Sequence, residues 1–322
     1  MRLNGWFPGR IKPLSHQSPI SLYSSLRIGS LAAVFVAWKF SGPNFWQFVM
    51  IVTFAHYALA FLYSRRQFVA ALSSLRTALP LALVTLAGYG MYVTKFPVAV
   101  FFGVHHIFNE TYLLQREVYR DRAAETRTLR MAGMFFNAAL YATILRHEPG
   151  LNYFGSSALF GALLVSSALF FYVLFKMRKR LSVRELIDSC IFEIASSLIV
   201  VFSLFRPFTF LHLVLYHILF WSVYPLSKLS KQGGAAVPVY VALHATAVPI
   251  AWLFAPAGPL ASGEYYSQFY LWSFIHIAAS FSLSTAQPGW VNWIFQPRAK
   301  KPFNLPASLP TGGVRLPEAV EV

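Results

Sequence analysis

The chain has 322 residues, of which 57% are hydrophobic, 17% are aromatic and only 12% are charged. Soluble globular proteins carry roughly 25% charged residues, so this composition excludes an ordinary soluble enzyme, a disordered protein and a disulfide-rich secreted scaffold. Cys190 is the only cysteine, which excludes an internal disulfide and a thiolate metal cluster. The composition is that of a polytopic membrane protein.

The net charge of +16 comes from 27 Lys and Arg against 11 Asp and Glu. Nucleic-acid-binding domains gather basic residues on one face and interleave aromatic side chains that stack on bases. Here the basic residues fall in short gaps between long apolar runs. This pattern is typical of membrane-protein loops that follow the positive-inside rule. We therefore expect the lipid bilayer, and no nucleic acid, as a partner.

In chain order, the apolar runs predict ten membrane-spanning helices, because a span needs about 20 mostly apolar residues. The predicted helices cover 26–41, 45–64, 78–94, 97–115, 130–146, 151–175, 186–205, 208–227, 236–255 and 267–287. The first has a short apolar core, so Arg27 and Lys39 at its two ends are expected to extend towards the membrane surfaces.

The loop charges predict the orientation of these helices. With the N-terminus in the cytoplasm, 23 of the 27 basic residues lie on the inside. The four that lie outside are Lys39, Lys95, Arg146 and Arg206. This predicts an all-α helical bundle of about ten transmembrane helices in the cell inner membrane, with both termini cytoplasmic.

Three parts of the chain follow from this topology. Residues 1–25 are expected to form a cytoplasmic N-terminal segment, residues 26–295 the transmembrane bundle, and residues 296–322 a Pro-rich cytoplasmic tail. The first segment lacks the apolar core of a cleavable signal peptide, so we expect none.

Seven of the nine histidines fall within predicted helices, where ionisable residues are costly and indicate a functional site. At about 1.5 Å per residue, six of them lie at a common depth of about 12 to 16 Å from the cytoplasmic boundary. These six are His56, His105, His106, His217, His244 and His276. Because their helices alternate in direction, sequence spacing alone does not produce a common depth. We therefore predict that the six converge as ligands of one metal site.

Polar residues accompany the histidines. Glu110 follows His106 by four positions, so the two lie on one side of their helix. Glu193 and Asn137 fall near the same layer on other helices. Imidazole and carboxylate without thiolate suit iron, zinc, copper or manganese. We predict iron, with zinc or copper as alternatives, and we predict that Glu110 and Glu193 are catalytic acid–base groups, bridging ligands or partners of a ligand.

Other interpretations of the histidines remain open. A membrane histidine can hydrogen-bond two helices together without further function. A chain of His and Glu can relay protons, as in a proton-coupled transporter. Paired histidines can hold haem, but haem-b proteins often space the pair about a dozen residues apart on one helix, a spacing absent here. Metal ligation fits the pattern best.

The spread of histidines over several helices resembles the multi-pass iron enzymes that activate oxygen on lipids. Within that group it is nearer to the bacterial membrane carotene-cleaving oxygenases than to desaturases and hydroxylases, whose HxxxH and HxxHH boxes this chain lacks. The resemblance carries over no functional residue. It implies an iron-dependent oxygenase or oxidoreductase of lipid metabolism, acting on an apolar substrate such as a fatty acyl chain or an isoprenoid. The alternatives are a proton-coupled transporter and a structural membrane subunit without a metal.

Overall fold

A computed structural model describes residues 20–40, 42–94, 98–119, 122, 124–148, 151, 153–231, 234–256, 258–260, 264–283 and 289–295. Within these ranges the chain has no β-strand and forms twelve α-helices and one π-helical turn, Gln115–Tyr119. The helices are α1 (Leu22–Phe40), α2 (Pro43–Tyr63), α3 (Arg65–Leu72), α4 (Leu75–Val93), α5 (Val98–Leu114), α6 (Arg127–Ile144), α7 (Ser156–Met177), α8 (Val183–Ser203), α9 (Phe210–Leu229), α10 (Ala236–Leu253), α11 (Tyr265–Leu283) and α12 (Gly289–Phe295). Most of the expected segment 1–25 and all of the expected tail 296–322 lie outside the described residues.

Each of the ten predicted segments overlaps one of the long helices, with ends that differ by a few residues. Within the described residues, five helices are long and apolar enough to cross a membrane. They are Asn44–Tyr63 of α2, and α7, α8, α9 and α10. The protein is therefore a helical membrane protein. If α3 and α4 are counted together as one bent span, the number becomes six.

The third predicted helix differs most from its observed counterpart. α4 is preceded by the short helix α3, and the two axes are bent by 103° at the intervening serines. The bend is held by the Thr77 hydroxyl, which donates to the carbonyl oxygens of Ala71 and Ser74. The sequence did not predict α3 because eight residues with two arginines are too short and polar for a span.

Helix α9 forms the centre of the bundle. It packs against α1, α2 and α10, and it is the most buried of the five apolar helices. The consecutive residues Val214, Leu215 and Tyr216, which point in different directions around the helix, are all buried, so this helix has partners on most of its faces. In contrast, α10 packs mainly on α2 and leaves most of its apolar surface exposed, as expected of a helix that faces lipid.

Charged groups gather at one end of the bundle. Arg122 forms an ion pair with Glu185 and donates to the carbonyl oxygen of Arg180. Lys228 at the end of α9 pairs with Glu117 in the π-helical turn at 2.8 Å. Burial by itself would raise the pKa of Glu117, but hydrogen bonds from Lys228 and Tyr224 outweigh burial and hold this pKa below its ordinary value.

The opposite end has its own polar contacts. The guanidinium of Arg146 donates to the hydroxyl and the carbonyl oxygen of Ser203, which links the ends of α6 and α8. Glu148 accepts from the backbone N–H of Phe210 at the start of α9. Burial raises the pKa of Glu148, and this hydrogen bond offsets only part of the rise.

Candidate metal centre

Four helices bring five of the six predicted histidines into one layer. His217 of α9 lies at the centre of this layer, and its ring centroid is 5.6 Å from that of His56 on α2 and 6.1 Å from that of His276 on α11. The two adjacent histidines of α5 also contact it, His105 at 5.4 Å and His106 at 5.9 Å. The common depth predicted from the sequence is thus accompanied by real proximity of these five rings.

Three of these histidines form a tighter group. His56, His217 and His276 each offer one ring nitrogen, and these nitrogens all lie within 4.8 Å of one another. Metal–nitrogen bonds of about 2.0–2.1 Å place tetrahedral ligands about 3.4 Å apart. Side-chain movements of about 1 Å would therefore let the three rings bind one ion. Three protein ligands leave a coordination position open, as catalytic metal sites do.

Neighbouring side chains orient the triad. The Tyr57 ring lies against His276, with ring centroids 4.9 Å apart. Its hydroxyl is 2.7 Å from the Ser273 hydroxyl, which donates in turn to the carbonyl oxygen of Phe269. The His56 ring also lies against the His276 ring, with ring centroids 5.1 Å apart. These contacts fix the direction of two triad rings from α2 and α11.

His105 has partners at both ring nitrogens. The amide of Asn109 donates to its Nε2 at 3.1 Å, and its Nδ1 lies 2.9 Å from the hydroxyl of Ser280, which donates to the carbonyl oxygen of Ile277. In this chain of hydrogen bonds the neutral ring carries its proton on Nδ1. These hydrogen bonds therefore hold the His105 ring in one orientation next to His217.

His106 differs from His105 in its hydrogen bonding. It is 1% exposed, and neither of its ring nitrogens has a hydrogen-bond partner among the described residues. Its ring contacts Tyr141 and Tyr216, each at a centroid distance of 5.2 Å. It therefore lies between the triad and a second polar region bounded by α6, α8 and α9.

His244, the sixth predicted ligand, lies apart from the triad. Its Nδ1 is 3.0 Å from the carbonyl oxygen of Tyr240, and its ring lies on the Tyr240 ring at 4.2 Å. It lines a cavity of about 40 Å³ together with His56. It thus faces the same space as one triad histidine without belonging to the group of three.

His212, which the depth argument separated from the other six, has a local role. Its Nδ1 accepts the backbone N–H of Thr209 at 2.9 Å. This hydrogen bond is part of a capping box at the start of α9.

The position of Arg27 corrects the expectation that this side chain extends to a membrane surface. α1 begins at Leu22, so Arg27 lies more than one turn inside, and it is 1% exposed. Its Nε lies 2.5 Å from an oxygen of Glu110, and its guanidinium lies 3.6 Å from the centre of the Phe192 ring. Glu110 also accepts hydrogen bonds from the hydroxyls of Tyr23 and Tyr216.

Glu193 lies on the other side of Arg27. One carboxylate oxygen is 3.9 Å from Nη2 of Arg27, and the other has no hydrogen-bond partner within the described part of the chain. Sequence reasoning identified both carboxylates but missed their shared cation. The two carboxylates themselves indicated such a cation, since carboxylates inside a membrane require a positive partner.

An apolar groove runs along the outside of the same region. It has a volume of about 470 Å³ and lies between α2, α10 and α11, the helices that carry His56, His244 and His276. Its walls include Ala55, Ala58, Ala247 and Ala251, whose small side chains leave the space open. This volume lies within the range of typical ligand sites.

Comparison of the chain with protein-family models, curated proteins and solved structures gives no match.

Proposed function

We propose that the protein is an integral membrane metalloenzyme in which His56, His217 and His276 hold one metal ion. The observation that carries this proposal is the approach of three ring nitrogens from three helices to within 4.8 Å of one another. Two of the three rings, those of His56 and His217, are buried, and burial of a polar ring costs free energy unless the ring is paired, so a chance arrangement is disfavoured. Iron is the ion we favour, with zinc or copper as alternatives, since imidazole ligands suit all three.

We further propose that the substrate is an apolar molecule, such as a fatty acyl chain or an isoprenoid, that enters from the lipid. The groove of about 470 Å³ supports this, because its walls are apolar except for Tyr265 and Gln268. One face of α10 continues from Ala251 and Ala247 to His244, which shares a cavity with His56. A fatty acyl chain or an isoprenoid bound in the groove would therefore lie next to the triad.

The reaction we favour is oxidation by molecular oxygen, for which the bound ion would supply Lewis-acid or redox activation. The two carboxylates would have different roles. Glu110 is engaged by Arg27, Tyr23 and Tyr216. Glu193 keeps one oxygen without a partner among the described residues, so it is the carboxylate placed to exchange a proton.

Metal analysis of the detergent-purified protein tests the proposal. After growth with added iron, we expect about one ion per chain in the wild type and its loss in His217→Ala and His276→Gln. His147→Ala, in an exposed loop, and His244→Gln, outside the triad, should keep the ion. Size-exclusion profiles identify variants that fail to fold. A wild type that is folded and metal-free would overturn the proposal and favour a proton relay or a structural subunit.

The substrate proposal has a separate test. Ala247→Trp fills the groove, whereas Ala245→Trp alters an exposed position of the same helix that does not line it. We expect a fluorescent fatty acid to bind the wild type and Ala245→Trp, and to bind Ala247→Trp at least about tenfold more weakly. Equal binding to both variants would contradict a site in the groove.

We also propose the full topology of ten spans in the inner membrane with both termini in the cytoplasm. Contacts between loops support it, because the loops assigned to one side meet one another. On the proposed inside, Arg122 pairs with Glu185 and Lys228 with Glu117. On the proposed outside, the Arg206 side chain donates to the carbonyl oxygen of Lys39.

A further inference from the structure

Buried polar atoms without partners are concentrated on one side of the histidine layer. Seven such atoms, each without a hydrogen-bond partner within the described residues, come from α1, α5, α6 and α8. They are Nη1 of Arg27, both ring nitrogens of His106, Oδ1 of Asn137, the hydroxyl of Tyr141, Oε2 of Glu193 and Oγ of Ser196. Native proteins leave few buried polar groups unpaired, and a cluster of them indicates bound water, an ion or a catalytic role.

Contacts within the chain connect these residues. His106 touches Tyr141 through its ring, and Asn137 precedes Tyr141 by one helical turn. Ser196 follows Glu193 by three positions on α8, and Glu193 lies 3.9 Å from Arg27. We refer to the space surrounded by His106, Asn137, Tyr141, Glu193 and Ser196 as the polar chamber.

A cavity adjoins this chamber. Its volume is about 50 Å³, and its walls are mainly apolar but include Tyr141 and Ser196 of the chamber and the neighbouring Tyr216. A water needs at least about 10–15 Å³ of such volume and two to four polar partners. The cavity therefore has room for a few waters, and the Tyr141 and Ser196 hydroxyls, which have no partner among the described residues, belong to its lining and would bind them.

The charges next to the chamber make it costly to leave the chamber without water. Glu110 and Glu193 both face Arg27, so two carboxylates share one guanidinium. Inside a bilayer no lipid group can donate hydrogen bonds to the surplus carboxylate oxygens. Water supplies such donors without adding charge.

The cavity also links the histidine layer to one end of the bundle. At its far side it is lined by Thr209 and His212, where α9 begins. At its near side Tyr141 and Tyr216 contact His106, which lies 5.9 Å from His217. Polar groups thus lie at both ends of the cavity, and apolar side chains line most of the wall between them.

We propose that the polar chamber holds bound waters and conducts protons between the Thr209 end of the bundle and the histidine layer. Its role in supplying protons to a reaction rests on the proposed function, whereas its hydration does not. Protons move along the waters and the Ser196 and Tyr141 hydroxyls, and each group that accepts a proton passes one on.

Hydroxyl-radical labelling by radiolysis tests the hydration in metal-free and metal-loaded protein alike. Radicals formed from bound water modify nearby side chains, so we expect Tyr141, which is 9% exposed, to be labelled as readily as the exposed Tyr172. The buried Phe136, which precedes Asn137 directly but stacks on Phe170 in the core, serves as the dry reference and should stay unmodified. A Tyr141 side chain that stays as unmodified as Phe136 would overturn the proposal, whether or not the protein binds a metal.

A matched pair of variants tests proton conduction. Ser196→Val and Ser196→Thr have the same shape, but only threonine keeps the hydroxyl. In metal-loaded protein supplied with a fatty acid, we expect Ser196→Val to slow oxygen consumption at least about tenfold and to raise its solvent deuterium isotope effect. The reason is that positioned proton transfer contributes on the order of 10²-fold or more to a rate. Ser196→Thr should restore most of the rate, and Ser197→Val, at the next position of α8, should leave it unchanged.

Equal rates in Ser196→Val and Ser196→Thr, at unchanged metal content, would refute proton conduction through this hydroxyl. A protein without metal would instead remove the proposed function and leave the labelling result to decide on the chamber.

Discussion

At the scale of single residues, the bundle accepts a buried arginine because an opposite charge and aromatic rings lie around it. Arg27 is enclosed by a carboxylate at 2.5 Å and by the faces of Tyr23 and Phe192. Removing one member of a buried ion pair leaves the other charge unpaired, which costs more than the pair itself contributes. The Arg27–Glu110 pair is therefore a point at which single substitutions should be severe.

We expect Arg27→Met to destabilise the protein by about 3–5 kcal/mol, because it leaves Glu110 buried without its cation. The double variant Arg27→Met Glu110→Gln should recover part of this loss, since it removes both charges. Thermal unfolding in detergent measures the effect, and Arg178→Met, at an exposed position, serves as the control. A double variant no more stable than Arg27→Met would show that the charge imbalance is not the cause.

At the scale of helices, close packing between α4 and α11 depends on a missing side chain. A Cβ added at Gly88 would lie 2.5 Å from a ring atom of Phe274, which is fully buried. At Gly90, two positions later on the same helix, a Cβ meets nothing within 4 Å. The two glycines therefore have different reasons to be present.

We expect Gly88→Ala to destabilise the protein by about 1–3 kcal/mol, because Phe274 has no free space to move into. Gly90→Ala should be neutral or stabilising by up to about 1 kcal/mol, because alanine is the better helix former. Melting temperatures of the two variants in one detergent give the comparison. A loss of stability at Gly90 equal to that at Gly88 would contradict this packing argument.

The π-helical turn after α5 carries a second testable contact. The pKa of Glu117 lies below its ordinary value, so its ionised form stabilises the folded state above the unfolded pKa, and this stabilisation disappears as the pH falls through the folded pKa. We expect Glu117→Gln to lower the melting temperature at pH 7 and to match the wild type once the pH is well below about 4. Glu125→Gln, at a more exposed ion pair, is the control and should change little at either pH. A deficit in Glu117→Gln that is the same at both pH values would rule out the ion pair as its source.

At the scale of the whole molecule, the two ends of the bundle differ in the contacts that hold them together. One end carries Arg122, Glu185, Glu117 and Lys228 in ion pairs. The other end is held by donors to backbone oxygens, such as those from Arg146 to Ser203.

Cysteine labelling tests the orientation directly. In a Cys190→Ser background, we expect a membrane-impermeant maleimide added to intact spheroplasts to label Tyr153→Cys, which is 88% exposed on the proposed outer side. Ala124→Cys, exposed on the proposed inner side, should react only after the cells are broken. The reverse pattern would invert the topology.

The sequence by itself determined the membrane class and the approximate positions of the long helices, and it predicted a common depth for the histidines. These follow from local composition, because the free energy of placing a segment in lipid depends mainly on that segment's own residues. The 3.6-residue period and the rise per residue then set each histidine's height.

Only the tertiary structure decided which rings meet. His56, His217 and His276 form the group of three, whereas His244, at a similar depth, turns to Tyr240. Likewise, Arg27 appeared from the sequence to lie at a helix end, but an earlier helix start places it against Glu110. Rotation about each helix axis and the choice of neighbouring helices depend on packing between segments distant in the chain, and no local pattern contains that information.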